Sequence, residues 1–427
     1  MSIARFALFF VLMLSALGGL NVYVFRWARK AFGLQRRGQA ALKWLLVGSV
    51  VGMVVGRVAG RLWPGPVTTA LIAVSSTVAL AVIISAVMLL LADGTIWLVG
   101  LVRRLFRSAH PAPLTDSVPA PLVAPAPRDD PRLEGTVPAE LPRRAFLTQA
   151  VASSAFLIGS SSSLYGALKG RNDYVIEQVP LRIPGLARAF DGFSIVQLSD
   201  VHIGAYVGEA ELNIAAELVR KAKPDLLVLT GDLLDNDPRF AEQLGRFVRR
   251  LSPLAREGVV AISGNHDYFA GVEEVASAVV RGGGRILQND ARIVGDGSAG
   301  FALLGVDDVW ARREGGGPDL QRAIAALPKL GGRVAPARDL PRVLLCHNPS
   351  YFAEAAGHVA LQLSGHTHGG QVNLGIRPAD YLLPGGWVAG RYDQDGSILY
   401  VNRGFGTVGP PARLGSPPEV THLVLTA

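Results

Sequence analysis

Nine polar side chains in the second half of this 427-residue chain are of types that do chemistry together. Asp200 and His202 stand in LSDVHIG, and Asp232 in TGDLLD. Asn265, His266 and Asp267 stand in GNHD, His347 in LLCH, and His366 and His368 in SGHTHGG. Carboxylate and amide oxygens mixed with imidazoles, and no thiolate, suit Mn²⁺, Fe or Zn²⁺ better than Ca²⁺. Seven donors are too many for one tetrahedral site and fit two ions that share a bridge. A carboxylate is the natural bridge because it offers two anionic oxygens, and Asp232, central in the order, is the choice. Two ions ~3.5–4 Å apart can activate a bridging hydroxide and hold both oxygens of an in-line displacement at phosphorus.

Such donors need elements that bring them together. Each group follows a short β-rich run: 193–199, 225–230, 259–263, 342–347 and 359–364, with further runs at 301–306, 398–402 and 421–426. Amphipathic stretches, such as 209–222 and 239–251, separate several of them. Alternating strand and helix predicts a layered α/β domain from about residue 175 onward. Ligands in such folds collect outside the carboxyl ends of strands. Five strands ending on one edge therefore bring together residues about 170 positions apart. Glycine before Asp232, Asn265 and His366 suits turns that leave no room for a Cβ.

These motifs, in this order, resemble the calcineurin-like metallophosphoesterase family over roughly residues 180–427. The stretches 198–204, 364–371 and 410–419 look like its membrane-associated or exported bacterial branch. The resemblance implies a four-layer α-β-β-α sandwich and a hydrolase of phosphoesters, with some relatives acting on a lipid-linked sugar-nucleotide pyrophosphate. It also implies one metal held by Asp200, His202, Asp232 and His368, and a second held by Asp232, Asn265, His347 and His366. His266 would face the phosphoryl group, stabilising the transition state or protonating the leaving oxygen, with Asp267 orienting its ring.

The first hundred residues follow a different logic. Mean hydropathy is +0.31 and 49% of residues are hydrophobic, more apolar than a soluble protein of this size. Phe6–Phe25 and Val67–Leu91 carry no charge and are long enough to cross a hydrocarbon core. Trp44–Trp63 is apolar but interrupted by Arg57 and Arg61. Its glycines at 48, 52, 56 and 60 make one smooth helix face, while both arginines share another face from which they can snorkel to one interface. A surface hairpin or re-entrant segment is the alternative for that stretch. Residues 108–142 are rich in Pro and Ala and read as a linker. Arg143-Arg144-Ala145-Phe146-Leu147 opens a further apolar stretch to about Leu168. It resembles a twin-arginine signal, although it is internal and has no A-x-A site behind it; a plain fourth anchor is the alternative.

Charge then sets orientation. Residues 1–107 hold 12 Lys/Arg and one acid, Asp93, whereas the remaining 320 residues carry 30 basic and 33 acidic side chains. The basicity flanks membrane segments and the globular part is mildly acidic, which excludes nucleic acid as the partner. Basic residues at 26–43 and 103–107 place those segments in the cytoplasm. Four spans then leave everything after about residue 170 on the outer face of a bacterial cytoplasmic membrane; if the fourth stretch does not insert, that domain is cytoplasmic. With Asp93 as the single intramembrane acid, a transporter is poorly supported. A metal-dependent extracytoplasmic sensor, coupled to its glycine-striped helices, is the rival to an enzyme.

Other residues draw blander expectations. Asp235 and Asp308 read as turn caps or supporting groups, and His358 and His422 as surface or core residues. The single cysteine, Cys346, excludes an intramolecular disulfide and reads as packing. Arg403 and Arg413 lie in Gly- and Pro-rich loops, where they serve either a phosphate or solvent. Gln371 is placed to shape the site.

Overall fold

The computed structural model describes residues 3–107, 142–295, 299–327 and 340–427. Residues 108–141 of the expected linker lie outside the described residues. Four long helices come first: α1 (Ile3–Phe32), α2 (Arg36–Leu62), α3 (Pro66–Arg107) and α4 (Arg143–Leu168). Among the described residues three helices are long and apolar enough to cross a membrane, at Val11–Phe32, Arg36–Leu62 and Pro66–Phe106. The glycine-striped stretch is thus part of one continuous helix, not a hairpin. The basic segment 26–43 is mostly helix, with a break at only 33–35. Lys and Arg are good helix formers, and Arg29 and Lys30 sit in the last turn of α1, where cations favour the helix dipole.

The remainder holds two six-stranded sheets. The first has the order β1 (Val175–Arg182), β12 (Glu419–Thr426), β2 (Ser194–Leu198), β3 (Leu226–Thr230), β4 (Val259–Ile262), β5 (Arg285–Ile286). The second runs β10 (Gly390–Gln394), β11 (Ser397–Val401), β9 (Leu361–Ser364), β8 (Arg342–Leu345), β7 (Gly300–Gly305), β6 (Asp290–Gly295). Within them β2, β3 and β4 are mutually parallel, as are β7, β8 and β9. Parallel order makes each set end on one edge.

Alternation along the strands builds the layers. Ile195, Leu226, Val228, Phe301 and Leu303 point into one core between the sheets. Their neighbours Val196, Leu198, Leu227 and Leu229 pack outward on Leu212 and Val219 of α5 (Glu209–Ala222), Phe247 and Val248 of α6 (Ala241–Leu251), and Val275 and Val279. A short α7 (Asn265–Ala270) precedes α8 (Val272–Arg281), which carries those last two residues. On the second sheet Ala302, Leu304 and Leu344 meet Leu320 and Ala323 of α9 (Leu320–Ala326) and Ala355 of α10 (Phe352–Ala355). Helix, sheet, sheet and helix are the four layers expected. Strands buried on both faces read as unbroken apolar runs, which is why the sequence reveals them. Edge strands β1 and β10 do not read that way: VIEQVPLR contains Pro180, tolerated because an edge strand has one unpaired side.

The chain divides into two compact units, one taking in Ser49–Val78 and Ser162–Ala427, the other Ala7–Gly48 and Ala79–Ser161. In the second unit the Asp93 carboxylate accepts hydrogen bonds from Tyr23 Oη at 2.7 Å and Trp27 Nε1 at 3.1 Å, so that acid is satisfied locally. In the first, a Cβ on Gly56 would stand 2.7 Å from Ile72 Cγ1, and one on Gly52 would strike Ser75. The glycine stripe therefore lets α2 press closely on α3. Ser163 Oγ of α4 donates to Thr77 O of α3 at 2.6 Å.

Candidate metal centre

The ends of β2, β3 and β4 deliver Asp200 and His202, Asp232, and Asn265 with His266. The ends of β8 and β9 deliver His347, and His366 with His368. Backbone bonds lock these turns together. Asp200 N donates to Gly231 O, His202 N to Asp232 O and Gly365 N to His347 O, each at 3.0 Å. Buried Gln197 ties the two sheets at this end, its Nε2 donating at 2.9 Å to both Thr230 Oγ1 and Ser364 O. The glycines are needed for close approach. A Cβ on Gly231, where φ is +88°, would lie 2.7 Å from Gly264 N and from His347 Nδ1. One on Gly365 would collide with Ser199 Oγ and the Asp200 carboxylate.

The backbone is held in an uncommon conformation at the same place. Asp200, His202 and Asp232 have φ +51°, His366 +72° and His368 +52°. Left-handed backbone costs most non-glycine residues of order 1–3 kcal/mol and persists where surrounding structure enforces it. Five such residues at one sheet edge mark a site organised for something other than stability.

Three clusters of donors result among the described residues, one of them His202 with Asp235 and His266, and the other two are the expected donor groups. Asp200, His202 and His368 bring one ligand atom each to within 4.8 Å of one another, and so do Asp232, His347 and His366. His202 Nε2 and His368 Nε2 face each other at 3.1 Å, near the ~3.3 Å span of two nitrogens on one tetrahedral ion with bonds of about 2.05 Å. His202 Nε2 is also 3.7 Å from Asp232 Oδ2, and His368 Nε2 is 3.4 Å from Asp200 Oδ1. The Nδ1 of His347 is 2.8 Å from Thr230 O, which can only accept, so Nδ1 carries the hydrogen and Nε2 keeps its lone pair. That Nε2 is 3.2 Å from Asp232 Oδ2. Two acceptors at that distance call for a cation or a proton between them. Buried His347 Nε2 and Asn265 Oδ1 have no hydrogen-bond partner. Orphaned donors of the right chemistry, aimed inward, fit a pair of divalent ions.

Electrostatics follow the geometry. Burial opposes ionisation of Asp232, but His347, His202 and His266 outweigh it and hold its carboxyl well below the usual range. Burial likewise opposes charge on His347, yet Asp232 raises its pKa well above the ordinary value. Burial, with the neighbouring His347, pushes His366 down to about 4, and burial with His202 and Arg413 pushes His368 well below its ordinary value. His347 thus attracts a positive charge, whereas His366 and His368 are kept as neutral donors.

His266 behaves differently. Its Nδ1 is 2.6 Å from the carbonyl oxygen of Asp235 and 3.4 Å from that residue's carboxylate. Burial alone would lower its pKa; the bonds to Asp235 and the charge of Asp232 outweigh it and raise the pKa to about 9. The ring lines a cavity of about 270 Å³. His266 is therefore a cationic donor facing open space.

Asp267 does not orient that ring, contrary to the expectation. Its Oδ1 accepts from Leu233 N at 2.9 Å and Leu234 N at 3.0 Å, and its Oδ2 from Gly264 N at 2.8 Å. As the third residue of α7 it turns back to close the helix start, away from its sequence neighbour. The orienting partner is Asp235, which also stands 3.6 Å from His202 Nδ1. Its place three residues after Asp232 in GDLLD is the available sequence signal.

The remaining candidates settle as follows. Arg413 is completely buried and reaches no phosphate position: it donates to the carbonyls of Gly404 and Gly406 at 3.0 Å and Ser416 at 3.1 Å, with Nη2 3.2 Å from His368 Nδ1. Arg403 is ion-paired with Glu177 and Glu419, both at 2.8 Å. Asp308 caps a turn by accepting from Trp310 N. Gln371 Nε2 donates to Val408 O and Pro410 O, holding the loop that borders the cavity. Cys346 is buried in the outer core of the second sheet, and His358 and His422 lie outside both donor groups.

Comparison with known proteins places the chain in a family. Residues 193–370 match the calcineurin-like phosphoesterase family. The chain is 31% identical over 302 residues to the metallophosphoesterase YkuE of Bacillus subtilis, covering 67% of this chain and 98% of that protein. It is 31% identical over 288 residues to a transmembrane protein with metallophosphoesterase domain from Bos taurus, covering 64% of this chain and 62% of that one. An Aquifex aeolicus metallophosphoesterase is 30% identical over 245 residues, with 54% of this chain and 84% of that protein covered.

Proposed function

The chain belongs to the calcineurin-like phosphoesterase family, and on that premise we propose a membrane-tethered hydrolase of phosphoesters that uses two divalent cations, Mn, Fe or Zn. The observation that carries the proposal is the convergence of Asp200, His202 and His368 beside Asp232, His347 and His366, with Asn265 Oδ1 left unpartnered between buried walls. One ion would be held by Asp200, His202, Asp232 and His368, the other by Asp232, Asn265, His347 and His366. Cations there supply a nucleophile from water near neutral pH and neutralise charge on the phosphoryl oxygens.

The chain's own residues do the rest. Asp232 presents a single oxygen, Oδ2, to both donor groups, while its Oδ1 accepts from His266 N. His266, on the cavity wall with its Nδ1 held by Asp235, gives a proton to the leaving oxygen. Asp235 keeps the ring in place and Asp267 secures the turn that carries it.

Membrane tethering rests on the three apolar helices, and α4, which is not among them, is read as a fourth span because its Ser163 lies against Thr77, inside the apolar run of α3. With the basic flanks on the cytoplasmic side, the catalytic domain stands outside, at the surface of a bacterial cytoplasmic membrane. A substrate in or near the bilayer, such as a phospholipid or a lipid-linked pyrophosphate, follows from that position. The test is turnover of bis-(p-nitrophenyl) phosphate, its monoester and a lipid pyrophosphate by the full chain in detergent with Mn²⁺, alongside elemental analysis. Inert, metal-loaded protein on all three would sink the proposal.

A further inference from the structure

The cavity that opens at His266 is not walled by the α/β layers alone. Arg57 of α2 and Ile72 of α3 line it together with Tyr206, Asp235 and Thr407, all within one compact unit. The helices reach this place for physical reasons. Gly52 and Gly56 let α2 approach Ser75 and Ile72 of α3 without an intervening Cβ. Arg239 Nη2 donates to the carbonyl of Arg61 at 3.1 Å and fixes the end of α2 to the domain.

An arginine inside an otherwise apolar membrane helix is costly and calls for a purpose. Arg61 lies in the last turn of α2, where snorkelling to the interface suffices. Arg57 is one turn deeper, about 6 Å further along the axis at 1.5 Å per residue, and borders the cavity instead. The cavity does not require that charge for its own sake. Its one carboxylate, Asp235, is already met by His202 at 3.6 Å and His266 at 3.4 Å. At about 270 Å³ the space holds roughly nine water molecules at about 30 Å³ each, enough for a doubly phosphorylated headgroup.

We propose that Arg57 is a specificity-determining residue supplied by the membrane helices. It binds a second anionic phosphate of an amphiphilic substrate whose reacting phosphorus lies at the donor groups and whose hydrocarbon lies beside α2 and α3. This rests on the phosphoesterase reading and adds to it a requirement for two phosphates on one membrane-borne molecule. A guanidinium presents a planar fork suited to phosphate oxygens, which a lysine matches only as a point charge. In the reaction, water adds its oxygen to the reacting phosphorus and the bond from that phosphorus to the leaving oxygen breaks. The leaving oxygen takes the proton held by His266, and the second proton of water restores His266, so one water is consumed and nothing is oxidised or reduced.

The test uses binding, so that it stands apart from turnover. Full-length, Mn²⁺-loaded protein in detergent micelles is titrated calorimetrically with dodecyl diphosphate, dodecyl phosphate and inorganic diphosphate, each supplied as its hydrolysis-resistant methylene or phosphonate analogue. The wild type is expected to bind dodecyl diphosphate at least tenfold more tightly than either of the others. Arg57→Gln should collapse that preference to within about twofold, Arg57→Lys should restore part of it, and Arg61→Gln should leave it intact. Equal affinity for the two dodecyl compounds, or a preference that survives Arg57→Gln, overturns the proposal. So does inorganic diphosphate binding as tightly as its dodecyl ester, since the membrane helices would then contribute nothing. A catalytically inert protein that still shows the Arg57-dependent preference would refute the hydrolase reading alone.

Discussion

His266 leans on Asp235, not on the aspartate next to it in sequence: its Nδ1 lies 2.6 Å from the Asp235 carbonyl and 3.4 Å from the carboxylate. The ring is thereby fixed with its other nitrogen toward the cavity. His266→Gln should lower kcat by about 10²–10⁴, the usual scale of proton donation. The loss should be larger for an alkyl ester than for a p-nitrophenyl ester, whose leaving group needs no proton. Equal losses on both, measured in steady state, would remove His266 from the role of acid.

The same contact makes a prediction for the metal-free chain. His266 should titrate near 9, above its ordinary value of about 6.5, because Asp235 and Asp232 outweigh burial. A raised value means that stability from the charged ring is complete below about 6.5 and is lost as pH rises through about 9. Asp235→Asn should bring the NMR titration of the ring down, and the melting-temperature gap between wild type and variant should narrow between pH 6 and pH 10. A gap that widens over that range has the wrong sign.

Much of this site is legible in the sequence because strands buried on both faces are unbroken apolar runs, and the donors follow them directly. Edge strand β1 is not, since a pattern with Glu177, Gln178 and Pro180 carries little apolar signal. Nor is the division of labour between Asp235 and Asp267. It depends on the direction in which α7 starts, where the backbone N–H groups of Leu233 and Leu234 draw Asp267 away from the ring. Arg413 misleads for a related reason. A loop rich in Gly and Pro looks solvated, yet this one folds over its arginine and saturates it with carbonyl oxygens.

Metal binding should be sensitive to a single methyl group. Gly365→Ala would push on Ser199 and the Asp200 carboxylate, and Asp232→Asn would weaken the oxygen shared by both donor groups. Elemental analysis should find less than half the wild-type metal in Asp232→Asn, and a reduced content in Gly365→Ala. Saturating the wild type at about 100 times Kd should stabilise it by about 2.7 kcal/mol, visible as a rise in Tm that a chelator reverses. Full metal content in both variants would mean that the donors are misassigned.

Orientation can be read with thiol labels, because the lone Cys346 is buried and its thiol pKa is pushed up by that burial. Cysteines introduced at Trp63 and Tyr381, 72% and 85% exposed, should react with a membrane-impermeant maleimide in intact cells. One at Gln35, between α1 and α2, should react only after lysis. Labelling at Gln35 alone would place the catalytic domain inside the cell.

The left-handed backbone at Asp200, His202, Asp232, His366 and His368 has a consequence for anyone redesigning this protein. Glycine is the residue those torsions favour, so a procedure that scores one position at a time for ease of folding would replace all five. The product would be a sturdier scaffold with only Asn265 and His347 left of its seven donors.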